Sequence, residues 1–194
     1  MNMISSSRSI KSGRLSLIFL MILFFIDCGC KNRLLFYPYK QIIAEPIAAG
    51  IAYDDVYFKT EDGVLLNGWW VPARVAQATV LFCHGNGGNI SFLIDTIRII
   101  HSMGLNVLVF DYRGYGRSGG TPSEEGTYRD VKAAWDYLVS DKKIPAPKII
   151  LIGRSLGGSI AAWLAQSRSP LALVLESTFT KAADVANFHY RFAP

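Results

Sequence analysis

Ten residues, Ile149 to Gly158, constrain the fold of this chain more than any other stretch. Ile149 to Ile152 are apolar and read as a buried strand, Gly153-Arg154-Ser155-Leu156-Gly157-Gly158 follows, and a helix is expected directly after Leu156. A strand that passes into a helix through so short a turn brings the two backbones into contact. Glycine at 153 and 157 removes the Cβ atoms that would clash there, and Gly158 lets the helix pack close. The serine at the apex takes a strained conformation, which projects its hydroxyl above the strand end. Such a unit needs a sheet beneath it and helices around it.

The rest of the sequence supplies them. Asp55 to Thr60 alternates, Glu61-Asp62-Gly63 is a turn, and Val64 to Val71 is extended again, the pattern of a hairpin. Thr79 to Cys83 is a short apolar run. Ile90 to Met103 carries Leu93, Ile94, Ile97 and Ile100 at helical spacing, with Gly104 as a stop. Asn106 to Phe110 is a buried strand, and a glycine-rich loop leads to Gly120. Thr121-Pro122-Ser123-Glu124 reads as a capping box with proline in the first helical position, opening a helix with Val131, Trp135 and Leu138 on one face. Lys148 to Gly153, Ile160 to Gln166 and Leu171 to Leu175 then read as strand, helix and strand. With 194 residues, 51% of them apolar, the chain fits one α/β domain: a mostly parallel sheet with helices on both faces.

The strand–turn–helix context makes Ser155 the candidate nucleophile. The backbone N–H of Leu156, at the helix N-terminus, points to where a tetrahedral oxyanion would form. A second match to the same spacing, Gly116-Arg117-Ser118-Gly119-Gly120, has neither strand before it nor helix after it, so Ser118 reads as a loop residue. The other oxyanion donor is expected from the loop after Thr79 to Cys83, His84-Gly85-Asn86-Gly87-Gly88. The backbone N–H of Asn86 is the first choice there and Gly87 the second; the glycines allow close backbone approach. His84 is placed to shape that loop rather than to act as base. His101 reads as a helix-surface residue, and His189 lies past the last strand. Asp130 and Asp184 also read as helix-surface residues. Cys83 reads as a core residue. The histidines and cysteines show no ligand spacing, so no metal or cofactor is implied.

With the elbow, HGNGG at His84 to Gly88, DYRGYGRSGG at Asp111 to Gly120, GTPSEEGTYRD at Gly120 to Asp130 and ESTFT at Glu176 to Thr180, the sequence resembles the α/β-hydrolase superfamily. Within it, the chain is similar to the serine aminopeptidase and monoacylglycerol-lipase-like branch that shades into the prolyl-oligopeptidase-like hydrolases. The resemblance covers roughly Val56 to Ala186. It implies Ser155 as nucleophile, Leu156 and Asn86 as backbone oxyanion donors, and mostly structural roles for Asp111, Arg113 and Glu176. Members of that family place an aspartate after the next strand and a histidine after the one beyond, whereas this sequence stops at Pro194. The expectation is a C-terminally truncated α/β-hydrolase domain lacking its acid and base. Loss of the histidine from a serine triad lowers turnover roughly a million-fold.

The N-terminus carries Arg8, Lys11 and Arg14 before an apolar run from Leu17 to Ile26, with Cys28 and Cys30 just after it. A charged region followed by a short apolar one has the layout of an export signal, and the run is short for a membrane span. Three outcomes stand: a lipoprotein signal with Cys30 as the lipidated residue, an uncleaved anchor, or a plain cleaved signal. The expected organisation is a signal or anchor over 1–29, a tether over 30–50 that wraps onto the domain, and a partial hydrolase domain over 51–194. The net charge of +5 is not gathered into a patch, which argues against a nucleic-acid partner. Two functional classes follow. One is an exported or membrane-tethered serine hydrolase of ester, possibly amide, bonds with a small or lipid-like substrate, its base supplied from outside the chain. The other is a catalytically inactive envelope scaffold that keeps the fold for binding.

Overall fold

The computed structural model describes residues 36–178. The expected export signal, Cys28, Cys30, Asp184 and His189 therefore lie outside the described residues. Strand β1 (Tyr37–Pro38) and a 3-10 turn (Pro46–Ala49) precede the hairpin of β2 (Asp54–Lys59) and β3 (Leu65–Val71). Then come β4 (Thr79–Cys83), β5 (Gly87–Gly88), a 3-10 turn (Ile90–Leu93) that runs into α1 (Ile94–Ser102), and β6 (Asn106–Phe110). Helix α2 (Glu124–Asp136) continues into a π turn (Tyr137–Asp141), and β7 (Ile149–Arg154), α3 (Leu156–Ala165) and β8 (Ala172–Glu176) complete the series.

Among the described residues six strands form one sheet in the order β2-β3-β6-β4-β7-β8. The hairpin strands are antiparallel to each other, β3 is antiparallel to β6, and β6, β4, β7 and β8 run parallel. The buried apolar runs become the central strands because their alternate side chains serve two cores. On one face Leu81, Leu108, Phe110 and Leu151 pack with Val131, Trp135 and Leu138 of α2 and its continuation, and with Ile160 and Leu164 of α3. On the other face Val80, Phe82, Val107 and Val109 meet Ile97 and Ile100 of α1. The chain leaves β4 to form β6 on one side of it and later returns as β7 on the other. In open α/β sheets ligands bind beyond the C-terminal ends of the strands at such a switch point, here the ends of β4 and β7.

Two local expectations, the start of helix α2 and the exposure of Asp130, differ from the structure. Helix α2 starts at Glu124, and its cap is Ser123, whose hydroxyl accepts a hydrogen bond from the Gly126 N–H at 3.1 Å. Thr121 and Pro122 thus precede the helix instead of opening it. Helix α3 begins at Leu156, as the elbow implies, so the periodic stretch from Ile160 is only its later part. Asp130 is fully buried, not a surface residue, because it accepts from the Arg113 backbone N–H at 2.8 Å and from Arg113 Nε at 2.9 Å. The same guanidinium grips Asp62 of the hairpin turn at 2.9 and 3.1 Å. Hydrogen bonds from Arg113 and then Thr60 hold the Asp62 carboxyl well below the usual carboxylate range. One arginine thereby ties the hairpin, the 111–120 loop and α2 together.

Candidate active site

Register brings the two key loops together: β4 and β7 are neighbours with Cys83 opposite Gly153, so both chains leave the sheet side by side. At the end of β7, Ser155 has φ 53° and ψ −118°. A non-glycine residue there carries strain of roughly 1–3 kcal/mol, which persists only where its surroundings enforce it. They do so on both sides. The Ser155 N–H donates to the Glu176 carbonyl at 2.9 Å, while its own carbonyl accepts from the Gly158 N–H at 2.9 Å and from the Thr178 hydroxyl at 2.8 Å. A Cβ on Gly153 would collide with the Gly157 carbonyl oxygen, and one on Gly157 with the Cys83 carbonyl oxygen. Helix α3 starts at Leu156, so its first N–H groups and dipole face the turn.

The His84–Gly88 loop lies alongside. A Cβ on Gly85 would stand 3.6 Å from Ser155 Cβ, an ordinary contact, while Gly87 faces open space. Close approach is thus a property of Gly85 alone among the glycines flanking Asn86. Gly88 answers a different need, a φ of 83° that only glycine adopts readily. Asn86 is held by Tyr115, whose hydroxyl reaches the Asn86 carbonyl at 2.9 Å and its Oδ1 at 3.0 Å.

His84 is buried. Its Nδ1 donates to the Gly85 carbonyl at 2.7 Å, and its ring stands 4.4 Å from Tyr112 and 5.3 Å from Tyr115 between centroids. Its Nε2 lies 3.6 Å from Asp111 Oδ1, and Asp111 Oδ1 accepts from the Ile90 N–H at 2.9 Å. Burial moves both groups toward neutrality, the His84 ring down to about 4 and the Asp111 carboxyl up to about 7. Burial also pushes the Cys83 thiol up to about 12, which leaves it protonated and unreactive. His101 bonds the Pro72 carbonyl at 3.1 Å. Ser118 is buried in the 111–120 loop; its hydroxyl donates to the Asp111 carbonyl at 2.6 Å and accepts from the Asn67 N–H at 2.9 Å. Glu176 pairs with Arg154 at 3.0 Å beside the elbow. Tyr115 and Thr178 touch this site although neither was singled out from the sequence. Both lie inside motifs that carry the family resemblance, Tyr115 in DYRGYGRSGG and Thr178 in ESTFT, and that was the available signal.

The family model for serine aminopeptidase, S33, matches residues 74–193, which is more than half of the chain. The chain belongs to this family of α/β-hydrolases. An uncharacterized protein of Mycobacterium tuberculosis is 38% identical over 166 residues, 84% of this chain and 59% of that protein. An α/β-hydrolase domain-containing protein of Arabidopsis thaliana is 37% identical over 152 residues, 76% of this chain and 49% of its own length. Among solved structures, an esterase of Pyrococcus furiosus superposes with a TM-score of 0.70 at 27% identity, covering 81% of this chain and 64% of the esterase. The chain thus spans about half to three-fifths of the length of these curated relatives. The mostly parallel sheet and its helices are the S33 architecture, and the family-level activity is hydrolysis.

Proposed function

We propose that this chain carries the nucleophile and oxyanion half of a serine hydrolase that cleaves ester bonds in small or lipid-like substrates. The observation that carries the proposal is Ser155 at φ 53°, in a turn enforced by Gly153 and Gly157 and flanked by the Gly85 loop. Ser155 Oγ attacks the carbonyl carbon and its proton passes to a base. The carbonyl oxygen becomes an oxyanion that accepts from the backbone N–H groups of Leu156 and Asn86, and the alcohol leaves with the proton. Water then attacks the acyl-serine by the reverse route. The base is assigned to a histidine outside residues 36–178, because His84 is committed to Gly85 and faces Asp111, and His101 bonds Pro72. Similarity to an esterase supports the ester substrate class. The basic residues and the Leu17–Ile26 run support export or membrane tethering, with Cys30 as the candidate lipidation site. Among the described residues no helix is long and apolar enough to cross a membrane.

A fluorophosphonate probe tests the nucleophile. The folded protein becomes labelled at Ser155, Ser155→Ala is not labelled, and Ser118→Ala still is. Absence of labelling in protein whose circular dichroism shows the native fold would overturn the proposal.

A further inference from the structure

The segment that precedes the sheet does more than cross the surface. Strand β1 lies parallel to β5, with Tyr37 opposite Gly87 and Pro38 opposite Gly88. Its N–H groups reach into the loop: Tyr37 N–H donates to Asn86 Oδ1 at 3.1 Å and Tyr39 N–H to the Gly88 carbonyl at 3.3 Å. Asn89 closes the clasp from the other side, with Nδ2 donating to the Tyr39 carbonyl at 2.9 Å and to the Gln41 carbonyl at 2.8 Å. Ile43 N–H donates to Ser91 Oγ at 3.1 Å. The 111–120 loop grips the same stretch. Gly116 N–H donates to the Tyr39 carbonyl at 3.0 Å, Lys40 Nζ to the Ser118 carbonyl at 2.9 Å, and Arg117 pairs with Glu45 at 2.6 Å.

We infer that Tyr37–Ile43 is a strap that sets the position of the oxyanion loop, and that Asn89 and Tyr115 are the positioning residues of the Ser155 site. This inference deepens the proposed function and rests on it for its catalytic part. The loop has more degrees of freedom than its own contacts can remove. Gly85, Asn86, Gly87 and Gly88 are three glycines and a polar residue, with little apolar contact of their own, and a glycine-rich loop has high conformational entropy. An oxyanion donor must be fixed before the reaction, because a donor displaced by about 1 Å forfeits roughly a hundred-fold in rate. The strap supplies the missing rigidity through a parallel pairing, and Tyr115 anchors Asn86 through both of its oxygens. Neither Asn89 nor Tyr115 is required to touch substrate. In sequence, residues 27–36 join the strap to the apolar Leu17–Ile26 run.

Two conservative variants isolate this role. Asn89→Asp keeps the Oδ1 that accepts from the Ser91 N–H at 2.9 Å but replaces the donor to both strap carbonyls with an acceptor. Tyr115→Phe keeps the ring against His84 and removes only the hydroxyl. In the full chain, hydrogen exchange at the 86–88 amides and the fluorophosphonate rate at Ser155 are measured for each variant, with the urea midpoint as a control for global folding. The inference expects faster exchange at 86–88 in both variants, and labelling slowed roughly 10- to 100-fold. Unchanged exchange at 86–88 in Asn89→Asp overturns the strap, and faster exchange with an unchanged labelling rate overturns its role at the Ser155 site. If the unmodified protein takes no label, the nucleophile assignment fails, and exchange alone then decides whether the strap orders the loop.

Discussion

At the scale of single residues, His84 and Asp111 form a pair whose charges burial suppresses. The folded His84 ring titrates at about 4 instead of 6.5, so between those values the unfolded chain binds a proton that the folded chain refuses. Its contribution to stability therefore falls as pH drops from 6.5 toward 4. Asp111 has the opposite sign. Raised from 3.8 to about 7, its carboxyl keeps a proton when folded that the unfolded chain has released, so its contribution falls as pH rises through that window. Where the windows overlap the two slopes cancel, and the folded pair is neutral imidazole beside carboxylic acid. Asp111→Asn imitates that acid, retaining an acceptor for the Ile90 N–H, and removes only the Asp111 slope. The expected result is a variant of near-native stability close to pH 4 that gains on the unmodified protein toward pH 7, by up to about 1.4 kcal/mol per pH unit, and so has the steeper pH profile. Urea midpoints for the two proteins across that range check it, and parallel profiles would refute the cancellation. Asp111→Ala instead strands the Ile90 N–H and costs about 1–3 kcal/mol.

Among the elements, helix α2 separates what sequence pattern reveals from what it hides. Its apolar face at Val131, Trp135 and Leu138 was legible because helical spacing is a local property. Its start was not, since Thr121 and Ser123 are both good caps and only the fold decides which hydroxyl meets an unpaired N–H. Ser123 does, through Gly126. Ser123→Ala is accordingly expected to lower stability by about 1 kcal/mol and Thr121→Ala to change it little, as measured by urea unfolding. The same division runs through the chain. Thr79–Cys83 and Asn106–Phe110 coincide with the observed strands because both of their faces are buried. Helix α3 was legible from the elbow and not from periodicity, because Gly157 and Gly158 are poor helix formers that the elbow requires for packing. The burial of Asp130 depends on Arg113, 17 residues away, and no helical periodicity encodes such a partner. For the candidate site, the elbow and the His84–Gly88 loop were visible as motifs. A tether over 30–50 wrapping onto the domain was expected, but its pairing with Gly87 and Gly88 was not, because β1 is two residues long and leaves no alternation to read.

For the molecule as a whole, the two edges that the sheet has among the described residues differ in chemistry. Edge strand β2 carries Asp54, Asp55 and Lys59, charges that discourage pairing with another chain. At the opposite edge β8 is exposed along its whole length, with Leu173 38%, Val174 45% and Leu175 46% accessible and Leu171 beside them at 55%. An apolar strand at a sheet edge offers both unpaired backbone groups and hydrophobic surface to a second strand, which is the combination that drives edge-to-edge association. Leu173 and Leu175 are two residues apart and so share one face of the strand. Replacing both with lysine puts charge on that face while leaving the pairing of β8 with β7 intact. Residues 1–194 are therefore expected to associate in a concentration-dependent way, as followed by light scattering, and Leu173→Lys with Leu175→Lys to suppress it without lowering the urea midpoint appreciably. Association that survives the double substitution would move its origin away from β8. Association that disappears together with the folded signal would mean that these leucines hold the strand in place.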